Sequence, residues 1–135
     1  MQRNFEASMD PAIAQALTRG QLIDITTTGR TSGEPRRVEI VYHVLDGRIF
    51  ISGLPSPEPR AWLRNLEANP RLTFHLKKGP VADLAATARV ITDAAERHEI
   101  LPRVAAVWKR DPTMMVAQSP LIEVTIDGYE GHRAA

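Results

Sequence analysis

The sequence contains no cysteine, which removes disulfides, thiolate metal sites and cysteine nucleophiles together. It has little aromatic content, with two Trp, two Tyr and three Phe in 135 residues, so each aromatic ring is a candidate for a specific role. No run approaches the ~18 consecutive apolar residues of a membrane span. The first residues, MQRNFEASMDP, show no apolar core of a signal peptide. A surplus of one charge sign is also missing: 17 Lys and Arg stand against 16 Asp and Glu, for a net charge of +1. That balance argues against a nucleic-acid protein built on a broad basic surface, where phosphate neutralisation supplies most of the affinity. A soluble, cytoplasmic protein forming a single domain over 1–135 is the expectation.

Turn signals and alternation divide what is present. Asp10-Pro11 opens a short helical stretch, AIAQALTRG, because proline suits the first turn of a helix. LIDITTT is rich in β-branched residues and reads as a strand. In VEIVYHVL the alternation places Val38, Ile40, Tyr42 and Val44 on one face, and Asp46-Gly47 makes a tight turn into RIFIS. LPSPEP has too many prolines to continue a sheet. RAWLRNLEAN follows as a helix with Trp62, Leu63 and Leu66 as its apolar stripe. RLTFHLK alternates again, with Leu72, Phe74 and Leu76 inward and Arg71, Thr73, His75 and Lys77 outward. VADLAATARVIT is a long small-residue strand. Asp93 and Glu96 stand at capping-box spacing before another helix, which Pro102 and then Asp111-Pro112 are expected to interrupt. LIEVTID is the last strand. Mostly antiparallel strands with inserted helices imply an α+β protein built around a small barrel of about six strands.

One stretch stands out chemically. TTTGRTSGEPRR places a polar tip, from Gly29 to Pro35, between two strands, and that tip is longer than a usual hairpin loop. If it folds back, Arg30, Arg36 and Arg37 come close together, and their planar forks match phosphate or carboxylate oxygens. Gly29 and Gly33 let backbone N–H groups approach the same anion, and Thr28, Thr31 and Ser32 add hydroxyl donors. The plainer alternative is a polar turn with solvated arginines. Neither a P-loop pattern nor G-x-G-x-x-G occurs. His43, His75, His98 and His132 are dispersed, which points to no metal site. His98 reads as a helix-surface residue and Tyr42 as core.

TTTGRTSGEPRR, DGRIFIS, AWLRNLEANPRLTFHLKK and ARVITDAAER occur in that order between about Leu22 and His98. Together they resemble the deazaflavin-dependent nitroreductase family. The resemblance implies a split β-barrel and an oxidoreductase that uses the deazaflavin coenzyme F420 as a two-electron hydride carrier. It assigns Arg30 and Arg36 to the coenzyme's phosphate and acidic tail, Ser52 and Gly53 to the face of the deazaflavin ring, and Trp62 and Asn65 to a W-x-x-N pair beside it. A tryptophan can flank a flat ring, and an asparagine can reach a ring carbonyl or the tail.

The chain departs from the family pattern in two places. Thr31 stands where the family commonly has lysine in GRKSG, and Ser52-Gly53-Leu54-Pro55 stands where it commonly has S-K-G-G. Arg37 or Lys77 are candidate replacements for the missing cations, and FMN is the alternative cofactor. The segment before the last strand lacks the family's tyrosines; Trp108, Met114 and Met115 there form either an apolar wall for a small electron-poor acceptor or core packing. A cofactor-binding protein without turnover is the non-enzymatic alternative, and a homodimer contact is compatible with the N-terminal helix.

Overall fold

The computed structural model describes residues 9–134; the reading of the first residues as lacking a signal-peptide core falls mostly on residues outside that range. The elements run α1 (Pro11–Ala16), β1 (Leu22–Thr28), β2 (Pro35–Leu45), β3 (Arg48–Ser52), α2 (Ala61–Ala68), β4 (Arg71–Leu76), β5 (Ala82–Val90), α3 (Ala94–Trp108), α4 (Pro112–Gln118) and β6 (Leu121–Ile126), followed by a 3₁₀ turn at Glu130–Ala134. The strands close into a barrel in the order β1-β2-β3-β6-β5-β4, every pair antiparallel. Closure leaves no strand with unpaired backbone groups along a free edge. The α+β small-barrel reading is therefore correct.

Local chemistry explains most of the boundaries. Asp46 and Gly47 both take positive φ, 55° and 76°, the primed turn that matches the twist of two short-connected strands. Asp10 caps α1 by accepting from the Ala12 N–H at 2.7 Å. That helix is shorter than its sequence suggested and ends at Ala16. Asp93 caps α3 by accepting from the Glu96 N–H at 2.9 Å. Glu96 does not complete a capping box, because its carboxylate takes both Nη groups of Arg89, at 3.0 and 2.6 Å.

Two cores form. Inside the barrel, Ile23, Ile25, Tyr42, Ile51, Phe74 and Ile122 pack with Leu17 from the turn that ends α1 and with Trp62 and Leu66 from α2. Tyr42 lies edge-on to Phe74, centroids 5.0 Å apart, and its hydroxyl donates to the Ala16 carbonyl at 2.8 Å. Outside, α3 and α4 bury Ile100, Leu101, Val104 and Met115 against Phe50 and Leu121.

Two sequence expectations are corrected here. Pro102 does not interrupt its helix; α3 runs through it. The proline lacks the N–H that would bond back to residue 98, but the buried residues on either side of it hold the helix on the barrel. His75 is on the outer face of β4 as expected, yet it is only 7% exposed. Its Nε2 meets the Thr26 hydroxyl and its Nδ1 meets Asp83, both at 2.7 Å.

Candidate functional site

The β1–β2 loop spans residues 29–34. It is tied by Gly29 N–H to Glu34 O and Gly33 N–H to Gly29 O, both 2.8 Å, and Gly33 supplies the positive φ of 74° that the reversal requires. Arg36 and Arg37 lie beyond the loop, inside β2, where they pair with Thr27 and Thr26. Strand alternation therefore sends them to opposite faces. Arg36 shares the side of Val38 and Ile40, and its Nη2 donates to Ser32 Oγ at 3.3 Å. Arg37 turns to the outer face and donates from Nε to Asp24 at 2.9 Å.

Neither candidate replacement for the missing cations is free. Besides the Arg37 pair, Lys77 binds Asp24 at 2.7 Å and also contacts Glu39. Lys77 and then Arg37 hold the Asp24 carboxyl below its ordinary pKa. The positive charge that these two cations would offer a ligand is already met by the carboxylates of Asp24 and Glu39.

Arg30, Arg36 and a third arginine, Arg60, border a groove of about 790 Å³ between the loop, β2, the end of β3 and α2. None of these three forms an ion pair with a carboxylate among the described residues. Arg30 is held by Asn65, whose Oδ1 accepts from both its backbone N–H and its Nη1 at 3.1 Å. Asn65 Nδ2 donates in turn to Thr27 Oγ1 at 3.0 Å. Asn65 thus spends its side chain on the protein. Trp62 is shared between the barrel core and the groove wall. Ser52 points its hydroxyl at the Pro120 carbonyl, 2.6 Å away, fixing the end of β3 to the start of β6.

Gly29, Arg30, Thr31, Ser32, Arg36, Arg37, Ser52, Gly53, Trp62 and Asn65 all line this groove. Thr28 and Gly33 face a smaller hollow on the other side of the loop. Trp108, Met114 and Met115 lie elsewhere. Trp108 packs edge-on to His43 with centroids 4.9 Å apart, Met115 is fully buried in the outer core, and Met114 is 45% exposed. No group of three His, Asp or Glu residues is placed to hold a metal among the described residues.

Sequence reasoning missed Arg60. It is the N-cap position of α2 without a side-chain cap bond; its Nη2 donates to the Leu54 carbonyl at 2.6 Å. The guanidinium lies against Gly53, where a Cβ would come within 3.0 Å of it and push it aside. Burial pulls its pKa below the ordinary guanidinium value, although arginine stays charged. Its place two residues before Trp62, at the start of a helix, was the available signal. Arg97 was also missed. It donates to the carbonyls of Val116 (2.9 Å) and Ser119 (2.6 Å), bracing the C-terminal end of α4, where a cation is favoured.

A groove with unpaired guanidiniums at its rim, an indole in its wall and no nucleophile–base pair suits binding of a flat, polyanionic cofactor. The chain belongs to the F420H(2)-dependent quinone reductase family, which it matches over residues 1–127. It is thus a member of a family of F420-dependent oxidoreductases. Among solved structures it resembles an F420-H2 dependent reductase, 22% identical with a TM-score of 0.56, covering 77% of this chain and 93% of that one. It also resembles a FAD-binding protein of Mesorhizobium loti, 14% identical with a TM-score of 0.57, over 88% and 91% of the two chains. A haem storage protein of Vibrio cholerae superposes with a TM-score of 0.66 at 12% identity, over 89% and 91%. At these identities the structural likeness speaks to fold. No helix among the described residues is long and apolar enough to cross a membrane.

Proposed function

We propose that the protein binds reduced coenzyme F420 in the groove between the β1–β2 loop and α2 and reduces a small quinone-like acceptor. The carrying observation is that Arg30 and Arg36 both reach the groove with no carboxylate partner among the described residues. Exposed guanidiniums without a carboxylate partner are free to meet an anion in bidentate fashion, and a phosphate with an acidic tail supplies several.

Arg30, in the loop, and Arg36, at the start of β2, hold the phosphate and tail, with Thr31 and Ser32 as hydroxyl donors. Ser52 and Gly53 form the floor under the ring, and Trp62 closes its side. Asn65 keeps Arg30 and the loop in position. The coenzyme, when bound, supplies a hydride to the acceptor; the protein contributes orientation, a slot shielded from water and fixed positive charge. The chain places no acidic or basic side chain as a nucleophile there, and the proton that completes the reduction comes from solvent at the groove mouth.

A titration with oxidised coenzyme F420 and, separately, with FMN, read by tryptophan fluorescence, tests this. Saturable quenching by the deazaflavin at micromolar concentration supports the reading. A response to FMN alone transfers the groove to a flavin. Silence with both rejects it.

A further inference from the structure

Beside the main groove is a second hollow of about 390 Å³, walled by Pro57, Pro59, Leu63, Ala117 and Pro120. Its size falls within the usual range of small-molecule sites, and its apolar wall suits an aromatic ring. Among the described residues, Arg60 is the single one that borders both spaces. The partition between them is therefore a guanidinium, held by one backbone carbonyl and by contact with Gly53.

The position separates Arg60 from the other two unpaired arginines. Arg30, in the loop, and Arg36, at the start of β2, do not line the second hollow. Arg60 stands at the Gly53 end, where the proposed function places the ring and where an acceptor must come to be reduced. Its fork has five N–H donors, and only one bond is made, to Leu54 O. Glu58 is at the same hollow but exposed, and its carboxylate forms no ion pair with Arg60. The hollow is also rigid on its far side: Gln118 O accepts from the Ser56 N–H at 3.2 Å, and Arg97 fixes the adjoining carbonyls.

We propose that Arg60 selects the acceptor, holding a carboxylate- or sulfonate-like group of a flat conjugated substrate whose reducible ring lies in the main groove beside Gly53 and whose remote part extends past Arg60 towards the second hollow. This rests on the proposed function. The acceptor takes two electrons and a proton as hydride from the reduced deazaflavin and a second proton from water, so a quinone leaves as its hydroquinone. Arg60 forms and breaks no bond in that step; it orients the pendant acid, whose charge is unchanged.

The test compares wild type with Arg60→Met and Arg60→Lys. Turnover of 1,4-naphthoquinone-2-sulfonate is measured against unsubstituted 1,4-naphthoquinone as a ratio of kcat/KM. Binding of the non-reducible naphthalene-2-sulfonate is measured by calorimetry, with and without oxidised coenzyme, and coenzyme affinity is measured for each protein. Arg60→Met should lower both the kcat/KM ratio and the sulfonate affinity by about tenfold or more, with Arg60→Lys between the two. Coenzyme affinity should change far less. Equal sulfonate binding by wild type and Arg60→Met overturns the inference, as does a loss confined to coenzyme affinity, which would assign Arg60 to the coenzyme. If wild type binds no coenzyme, the proposed function fails instead, and the titration of the coenzyme-free protein still decides the role of Arg60.

Discussion

Asn65 Oδ1 accepts two hydrogen bonds from Arg30, from the backbone N–H and from Nη1, each at 3.1 Å. With its amide also donating to Thr27, this residue, only 3% exposed, latches α2 to the loop that carries Arg30. The sequence pattern W-x-x-N suggested an asparagine facing the cofactor; the geometry gives it the work of ordering the protein around it. Asn65→Ala should cost about 1–3 kcal/mol of stability, since the Arg30 N–H and Thr27 hydroxyl lose a buried partner. It should also weaken coenzyme binding. Asn65→Asp keeps the acceptor and restores much of the stability, but pairs Arg30 with a carboxylate and lowers coenzyme affinity further. Urea midpoints and coenzyme titrations of both variants check this; unchanged affinity in Asn65→Ala would remove the latch from the binding mechanism.

Arg36 and Arg37 are adjacent in sequence and opposite in environment. Arg36→Ala removes an unpaired guanidinium and should weaken coenzyme binding by about tenfold or more, corresponding to ~1.4 kcal/mol or above. Arg37→Ala removes a cation already bound to Asp24 and should change affinity only slightly. Raising ionic strength should weaken wild-type binding more steeply than Arg36→Ala, because fewer charged contacts remain to be screened. Equal losses in the two variants would contradict the assignment of faces.

The barrel was legible because its strands alternate strongly and are punctuated by Asp46-Gly47 and by the proline-rich break after Leu54. The polar, arginine-rich character of the β1–β2 tip was legible, but the different partners of Arg36 and Arg37 were not. That depends on Asp24 lying opposite Glu39 and beside Arg37, a fact of register that no local pattern carries. The alternation of Val38, Ile40 and Tyr42, extended backwards, did contain the information that Arg36 and Arg37 face apart. Pro102 misled because local propensity was overruled by packing on the barrel. Arg60 was passed over because an arginine at the start of a helix reads as solvated, and only the fold brings Gly53 beneath it.

Met114 and Met115 test where the apolar wall lies. Met115 is fully buried beside Phe50 and Leu121, so Met115→Ala should cost about 2–5 kcal/mol of stability while leaving the affinity of the folded protein for coenzyme intact. Met114 is exposed, and Met114→Ala should stay within about 0.5 kcal/mol of wild type. Neither should alter the choice of acceptor, because neither borders the groove or the second hollow. A changed acceptor KM in Met114→Ala would restore this segment to the substrate site.

His43 provides a pH test of the outer core. It is 6% exposed, its Nε2 has no hydrogen-bond partner among the described residues, and its ring meets the edge of Trp108. Burial favours the neutral imidazole and lowers its pKa. In the unfolded chain the same group titrates near about 6.5, so below that pH the unfolded state binds the extra proton and folding stability falls as pH drops towards the depressed folded value. The carboxylates whose pKa is lowered by arginine or lysine partners, including Asp24 and Glu123, act in a separate window below about pH 4.5. His132 is also depressed by burial and shares the histidine window. His43→Leu should therefore lose less stability than wild type between about pH 7.5 and 5.5, retaining the part due to His132. Urea denaturation at both pH values measures the difference, and parallel losses in the two proteins would mean that His43 protonates as readily in the folded barrel as in the unfolded chain.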